Sequence, residues 1–451
     1  MAVFARKARR IFTRWATPLT QLVSPDTLKR FLSLSSWTMV SFALSKGAMM
    51  IVVIYLARVL GAEDYGRLTL TQGLVNVLGL FVILGAGPFV SKHVPQMLQE
   101  SPQRAVQIVN LSGAVIATTS LLLCIAVPFA KGTVAVNVLS LPTGSPIPSL
   151  VLGWVILMAF NELMLIALLS LEKGKALGTV ALVVAGLSLS VVPWSGMRWG
   201  LQGAVAGFIV VESIRFVVAG LVYFRVVKGL GANPFVWPHR SDLPLLLTFG
   251  LPVFLTSAMY SPTIWGAQLV VKAFAPDGLV AVGVYGLMSN ILGALLLVSS
   301  LTNQAAMPVF SSLFAAGNGD ELKRASRLLC WAQMAVAAAI SIPIALCAPF
   351  ILSYAGPAFA AAWPAFLLML GVGVITAGQT SLGNYLLATN RPYFILGTTL
   401  PWSLIVLSAA FLFSSHGVYA LAGGMLVGAI ARVGLFIWGF TKQLRPAASA
   451  A

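Results

Sequence analysis

The sequence predicts an all-α polytopic membrane protein with about twelve transmembrane helices, and three observations predict this class. The 451 residues are 59% hydrophobic and only 9% charged, with a mean hydropathy of +0.95, a balance that soluble domains do not have. The apolar runs are about 20 residues long, which is the length of helix that crosses about 30 Å of hydrocarbon. The runs lack alternation with period two, which favours a helix bundle over a barrel.

The predicted spans follow one another with short connections. They cover residues 36–57, 68–90, 106–130, 149–171, 176–195, 201–226, 244–270, 279–303, 327–351, 363–387, 394–414 and 417–440. The turn GAEDYGR separates the first two spans. Most tryptophans, Trp402 among them, lie near span ends and are expected in the aromatic belts at the membrane interface.

The basic residues predict the orientation of the chain. With the N-terminus inside, 20 of the 28 Lys and Arg residues fall on inner segments and five on outer loops. This split favours cytoplasmic termini and accounts for most of the net charge of +17 without nucleic acid as a partner. The Arg-rich residues 1–32 are too charged for a cleaved signal peptide and are interpreted as a cytoplasmic tail, disordered or lying on the membrane as an amphipathic helix.

The remaining composition argues against metal and disulfide chemistry. The three cysteines lie inside apolar runs, the three histidines are scattered in loops, and no HExxH motif is present. No metal, cofactor or catalytic residue is therefore expected. An enzyme such as a polymerase or glycosyltransferase is disfavoured, because the chain has neither a large outer loop nor a DxD motif.

The longest inner loop, residues 228–242, contains NPFVWPHRSD and is interpreted as a linker between two lobes. The N-terminal lobe would cover residues 33–227 and the C-terminal lobe 243–442, with a short tail at 443–451. Each lobe holds six predicted helices, so both lobes enter the membrane from the same side.

The two halves also match each other at a single offset, the interval from Gly66 to Gly283, which we call the repeat spacing. Gly66 belongs to YGRLTLTQ and Gly283 to VGVYGLMS, and at the same offset the run that begins at Gly200 matches the run HGVYALAGG. Chance matching of small residues is the alternative explanation. A duplication would place a pseudo-twofold axis along the membrane normal, with the substrate between the lobes.

Five ionisable residues lie inside predicted spans: Lys46, Glu162, Glu212, Arg215 and Arg432. A charge near the midplane, as expected for Lys46, costs about 2.5–3.5 kcal/mol unless it faces protein or a wet cavity. Glu212 and Arg215 are three residues apart and form a structural pair in one interpretation. Snorkelling to the headgroups is an alternative for Arg215 and Arg432.

Three cations against two carboxylates predict a cationic cavity that attracts phosphate, pyrophosphate or carboxylate and disfavours organic cations. Lys46, Arg215 and Arg432 are the candidate binding residues. Glu162 and Glu212 are candidates for exchanging a coupling H⁺ or Na⁺, and fixed counter-ions are the alternative.

Amide side chains within the spans form a second candidate group. Asn76, Gln268, Asn290 and Gln379 are predicted to line a sugar path, and the alternative is that they hydrogen-bond between helices.

Several motifs resemble bacterial polysaccharide flippases of the O-antigen type, within the multidrug/oligosaccharidyl-lipid/polysaccharide (MOP) transporter superfamily. The resemblance runs from about Ser33 to Lys442, and four stretches carry it: ARVLGAEDYGRLTLTQGLVNVLGLFVILGAGPFVSKHVPQ, FGLPVFLTSAMY with VGVYGLMSNILGALLLVSSLTNQAAMPVFSSL, AGPAFAAAWPAF with LLATNRPYF, and HGVYALAGGMLVGAIAR.

The resemblance implies two six-helix lobes around a V-shaped central cavity. It also implies alternating-access transport of an undecaprenyl-pyrophosphate-linked oligosaccharide across the bacterial inner membrane, with a polysaccharide polymerase and export machinery as further partners. The long basic tail departs from the family pattern. Lipid II flippases have fourteen spans, so the twelve spans predicted here make lipid II a less favoured substrate. A cation-coupled multidrug exporter would be expected to carry an acidic residue in its first helix, where this chain has Lys46.

Overall fold

The computed structural model of the protein describes residues 25–171, 173–315, 317–389 and 391–442, with side chains described from residue 40 onward except at scattered positions in the helices. The described residues are helical, without strands, and this confirms the all-α class. The predicted tail segments 1–24 and 443–451 lie outside the described residues, and the first helix begins at Pro25, inside the predicted N-terminal tail.

The α-helices are numbered in chain order. They are α1 (Pro25–Ile83), α2 (Ala86–Glu100), α3 (Pro102–Thr133), α4 (Ile147–Ser170), α5 (Gly174–Gly229), α6 (Leu243–Phe274), α7 (Gly278–Leu295), α8 (Leu297–Ala315), α9 (Gly319–Ala355), α10 (Pro357–Ala361), α11 (Trp363–Ala388), α12 (Pro392–Leu412) and α13 (Val418–Lys442). A π-helical turn, Val134–Val138, follows α3, and 3₁₀ turns cover Arg240–Asp242 and Ser414–His416.

Nine helices within the described residues are long and apolar enough to cross a membrane, so the chain is a multi-pass membrane protein. Two of these segments, Val40–Ile83 with 44 residues and Gly174–Gly229 with 56 residues, are about twice or more the length of one crossing. The full set of twelve crossings in two lobes stays a prediction.

Both long helices are interrupted at a glycine with positive φ. Gly61 (φ 72°, ψ 170°) interrupts α1, and Gly200 (φ 57°, ψ −139°) interrupts α5. After Gly200 the chain folds back on itself, so the two arms of α5 pack closely. A methyl group added to Gly207 would lie 3.1 Å from the Cα of Val192. Glycine suits both positions because it adopts positive φ without steric cost.

Two predicted spans are not continuous. The predicted span 68–90 is wrong at its end, because α1 stops at Ile83 and the chain turns through Leu84 (φ 45°) and Gly85 (φ 75°) before α2. The turn allows close contact with the second half, since a methyl group on Gly85 would lie 2.3 Å from the carbonyl oxygen of Gly250. The predicted span 279–303 is divided between α7 and α8 at Leu296.

Structural features recur at the repeat spacing that the sequence indicates. Helix α3 begins at Pro102 and α9 at Gly319, and these two positions are one repeat spacing apart. Gly200 and Gly417 are separated by the same interval, and each has a φ of 57°. These coincidences are what two copies of one helical unit would produce.

Side-chain amides make the same bond in each half. Asn161 Nδ2 donates to the carbonyl oxygen of Glu212 at 2.9 Å, which ties α4 to α5. Gln379 Nε2 donates to the carbonyl oxygen of Ala429 at 2.6 Å, which ties α11 to α13. The two acceptor residues are again one repeat spacing apart.

Helices α1 and α7 cross at equivalent residues. A methyl group on Gly66 would lie 2.0 Å from the carbonyl oxygen of Leu279, and one on Gly283 would lie 2.0 Å from that of Ala62. Three residues farther on, Thr69 packs against Gly286. A residue that meets its own equivalent lies on or near a twofold axis, so the α1–α7 crossing is the place where such an axis would run.

Candidate transport site

A cavity of about 360 Å³ lies beside this crossing, where α1, α6 and α7 meet, with Met369 and Met425 closing it from α11 and α13. Its described walls carry amide, hydroxyl, aromatic and apolar groups and no ionisable Asp, Glu, Lys, Arg or His. The polar wall residues are Thr69, Gln72, Asn76, Tyr260, Ser261, Gln268, Tyr285, Ser289 and Asn290. Helices from both sides of the linker therefore form a neutral cavity with mixed polar and apolar walls.

The structure places three of the four predicted sugar-path residues in these walls: Asn76, Gln268 and Asn290. Asn290 donates to the carbonyl oxygen of Gly286 at 2.9 Å. Gln268 is 6% exposed, and its Oε1 has no hydrogen-bond partner among the described residues. A buried acceptor without a partner costs free energy, so Gln268 is suited to accept a hydrogen bond from a ligand in the cavity.

Gln379, the fourth predicted residue, lies away from this cavity. It is also 6% exposed, but its amide donates to Ala429 and holds α11 against α13. The helix-linking alternative describes its geometry.

Aromatic residues of the cavity were missed by the sequence reasoning, because hydropathy counts them simply as apolar. Tyr260, Trp265 and Tyr285 all face it. The indole of Trp265 packs on Gly73, where a methyl group would lie 2.3 Å from the ring, and its Nε1 donates to the carbonyl oxygen of Leu70 at 3.1 Å. This bond fixes the ring across the boundary between the two halves.

Arg432 lies one layer behind the cavity wall. Tyr260 stacks on Trp402, with ring centroids 4.8 Å apart and planes at 9°. The Arg432 guanidinium carbon is 6.0 Å from the centroid of Trp402 and 5.5 Å from that of Phe436, and Nη2 donates to Thr399 Oγ1 at 3.1 Å. Trp402 is buried, so the prediction that it lies in an interface belt is wrong. Its ring instead contacts the Arg432 guanidinium and stacks on Tyr260.

Arg215 has a carboxylate partner, and Arg432 has none among the described residues. Arg215 Nη1 lies 3.3 Å from Glu212 Oε1, and the Glu212 carboxylate also accepts from Asn161 Nδ2 at 2.5 Å. In the other half, Ala429 stands where the repeat spacing would place the equivalent of Glu212. The pairing predicted from the i, i+3 spacing is therefore present in one half, and in the other half the half-buried Arg432 has no described carboxylate partner.

Lys46 is exposed, and no described carboxylate lies within ion-pair distance of it. Its position on the helix indicates what it faces. Val40, Leu44 and Ile51 form the exposed apolar stripe of α1, and at 100° per residue Lys46 lies roughly 140° away from the middle of that stripe. Val53 and Ala57 share the face of Lys46, and both are buried. Lys46 thus lies on the same face of α1 as residues that pack against protein, but at a height where that face is exposed.

Glu162 is exposed and has no cation within ion-pair distance in the described part of the chain. None of Lys46, Glu162, Glu212, Arg215 and Arg432 is a wall residue of the neutral cavity. The amides and aromatic rings lie in the cavity at the α1–α7 crossing, and the ionisable residues lie outside its walls. The sequence analysis predicted a single cavity for both groups.

A larger groove of about 580 Å³ lies between α12 and α13. Its walls are almost entirely apolar, and Leu404, Leu412 and Val427 are exposed on it. In a membrane-spanning helix pair such a surface faces lipid.

Comparison with known proteins identifies the family. The family described as "Polysaccharide biosynthesis protein" matches residues 32–314. The chain belongs to this family. No curated protein sequence matches the chain.

Solved structures similar to this member of the family are transporters. An inward-facing multidrug resistance MATE family transporter of the MOP superfamily has a TM-score of 0.72 at 14% identity, covering 88% of this chain and 94% of that one. An outward-facing MATE family transporter has a TM-score of 0.65 at 16% identity, covering 92% of this chain and 95% of that one. A MOP superfamily transporter from Pyrococcus furiosus, described as having a binding pocket of reverse polarity, has a TM-score of 0.66 at 14% identity, covering 92% of this chain and 95% of that one.

These matches confirm the predicted resemblance to the polysaccharide branch of the MOP superfamily. The protein is a multi-pass membrane protein of the polysaccharide biosynthesis family, and it has the fold of MOP-superfamily transporters.

Proposed function

We propose that the protein flips an undecaprenyl-pyrophosphate-linked oligosaccharide from the cytoplasmic to the periplasmic leaflet of the bacterial inner membrane. The glycan would feed exopolysaccharide, capsule or O-antigen synthesis, and a polymerase and export machinery would act after the flippase. Both termini would lie in the cytoplasm, as the 20-to-5 distribution of basic residues favours.

The neutral cavity at the α1–α7 crossing carries this proposal. Amides such as Gln268 and Asn290 both donate and accept hydrogen bonds, which matches sugar hydroxyls. Tyr260 and Trp265 provide flat apolar faces beside polar groups, which suits the mixed surface of a sugar ring. A cavity for organic cations would be expected to contain a carboxylate, and no described wall residue supplies one.

The cations around the cavity support recognition of a phosphorylated lipid head. Lys46 and Arg432 lack a carboxylate partner among the described residues, whereas Arg215 is neutralised by Glu212. We therefore infer that Lys46 and Arg432 engage the pyrophosphate and that Arg215 contributes through the charge balance of its pair. Because Glu212 is already paired, Glu162 is the carboxylate that we propose for coupling to H⁺ or Na⁺.

The fold supports alternating access. MATE neighbours have been solved in inward-facing and outward-facing forms, and the TM-score is higher against the inward-facing form, 0.72, than against the outward-facing one, 0.65. The existence of both forms in this fold supports a cycle that alternates between the two sides of the membrane.

The experiment replaces Lys46 in a strain that depends on the protein for surface polysaccharide. Lys46→Ala is expected to abolish the polysaccharide with the protein still present in the membrane, and Lys46→Arg is expected to retain it. Lys131→Ala, at an exposed lysine near the end of α3, is the matched control. Normal polysaccharide in Lys46→Ala would contradict the proposal. Normal polysaccharide together with raised drug sensitivity in Lys46→Ala would support a multidrug exporter instead.

A further inference from the structure

Two cations cross between the halves at the end of the bundle opposite the linker. Lys272, in the last turn of α6, donates to the carbonyl oxygens of Asn137 at 2.6 Å and Val138 at 3.2 Å, in the π-helical turn after α3. The guanidinium carbon of Arg58, in the first half of the chain, lies 4.4 Å from the ring centroid of Tyr354, near the end of α9. Each contact joins residues from opposite sides of the linker.

The two contacted sites occupy equivalent places. Asn137 and Tyr354 are one repeat spacing apart, so they are related in the same way as Gly66 and Gly283. The two cations are not at equivalent positions. The residue one repeat spacing before Lys272 is Tyr55, and Arg58 lies three residues, about one helical turn, after it. Each half thus extends a cation from the end of one helix to the same place on the other half, although the acceptor is backbone in one case and an aromatic ring in the other.

The chain positions Lys272 for this contact. Immediately after it, the turn between α6 and α7 is so tight that a methyl group on Gly278 would lie 2.3 Å from the carbonyl oxygen of Lys272. The side chain is half-buried, and its ammonium makes two charge-assisted bonds to carbonyls that no longer accept a regular α-helical bond. Arg58 is exposed and Tyr354 is 47% exposed, so this second bridge is the weaker one.

We propose that Lys272 with Asn137 and Val138, and Arg58 with Tyr354, form a paired gate that closes the linker-distal end of the transporter. The two bridges flank the α1–α7 crossing, so the halves separate at this end only when both bridges break. The gate rests on the proposed alternating-access function, but its opening is a property of the protein without substrate. Its failure is therefore distinguishable from failure of the glycan assignment.

A distance measurement tests the gate. Spin labels are placed at the equivalent positions Phe129→Cys and Leu346→Cys, which are 86% and 78% exposed, after Cys124, Cys330 and Cys347 are replaced by serine. Pulsed electron paramagnetic resonance in lipid nanodiscs then reports the separation of α3 from α9. Lys272→Gln and Arg58→Gln are each expected to move population toward longer distances, Lys272→Gln more so, and the double variant most. Lys131→Gln, at the same end of α3, is expected to leave the distribution unchanged.

An unchanged distribution in the double variant, or an equal shift in Lys131→Gln, would overturn the gate. If the double variant does not yield a monodisperse protein, a cross-link decides. Asn137→Cys with Lys272→Cys, joined by a reducible bifunctional thiol reagent, is expected to stop transport until reductant is added. Full transport by the cross-linked protein would equally overturn the proposal.

Discussion

Gly66 and Gly283 pack reciprocally, each against the backbone that precedes the other. A methyl group on Gly66 would meet the carbonyl oxygen of Leu279, and one on Gly283 would meet that of Ala62, in both cases at 2.0 Å. No side chain fits between the two helices here, so the distance between the halves is set by bare backbone. The contact makes this crossing the natural pivot for any relative movement.

Gly66→Ala is expected to destabilise the protein, because the added methyl group meets backbone that cannot move aside alone. Overpacking of this kind costs about 1–3 kcal/mol and lowers Tm by several degrees. Gly220→Ala in α5 is the control, since its new methyl group would meet nothing within 4 Å. Thermal unfolding of the two variants in the same detergent measures the difference, and equal Tm values would argue against a tight crossing.

Gln268 and Gln379 offer a matched pair for separating transport from stability. Both are 6% exposed, but Gln268 Oε1 lacks a described partner, whereas Gln379 donates to Ala429 at 2.6 Å. Gln268→Met is expected to keep or raise Tm and to reduce surface polysaccharide, because it removes an unsatisfied acceptor that the ligand would use. Gln379→Met is expected to cost about 1 kcal/mol of stability, the net value of a lost hydrogen bond.

The opposite assignment is distinguishable in the same assays. If Gln268→Met lowers Tm as much as Gln379→Met and leaves polysaccharide unchanged, Gln268 is a structural residue and the cavity loses its principal acceptor.

The Glu212–Arg215 pair is expected to behave as a unit. Glu212→Ala leaves a half-buried guanidinium without its carboxylate, and we expect destabilisation of the order of 1–3 kcal/mol. Glu212→Ala combined with Arg215→Met removes both charges and should recover much of that loss. A double-mutant cycle on thermal unfolding checks the coupling, and purely additive effects would mean that the two charges do not interact.

Asn110 holds the linker against α3. Its Nδ2 donates to the carbonyl oxygens of Pro234 at 3.0 Å and Val236 at 2.8 Å. Asn110→Ala is expected to speed chymotrypsin cleavage at the exposed residues Phe235 and Trp237, because two bonds of about 1 kcal/mol each are lost.

The control for the linker is Thr118→Ala, whose hydroxyl bonds only within its own helix, to Ala114. Equal cleavage rates in the two variants would mean that other contacts hold the linker, such as Arg104 with Asp242 at 3.2 Å.

Hydropathy predicted the helical membrane class well, because apolar length is a property of the sequence itself. The repeat spacing was also readable, since Gly66 and Gly283 occupy a contact that tolerates only glycine. The breaks at Leu84–Gly85 and Leu296 were not readable from the sequence, because each lies inside an apolar run.

The candidate site was predicted only in pieces. Asn76, Gln268 and Asn290 stood out as amides in apolar spans, and the structure brings them to one cavity. Tyr260 and Trp265 carried no such signal, because an aromatic residue in a membrane span is ordinary. The i, i+3 spacing predicted the pair of Glu212 with Arg215, but no local pattern could reveal that Arg432 would rest on Trp402.

The halves share an amide-to-carbonyl bond but differ in what stands beside it: a carboxylate at Glu212, and a methyl group at Ala429. The two similar halves thus carry different charge: Arg215 is neutralised by Glu212 in the first half, whereas Arg432 keeps its positive charge in the second. A cargo with a negative head and an uncharged body would enter such an interior in one preferred orientation, its head placed to reach both Arg432 and Lys46.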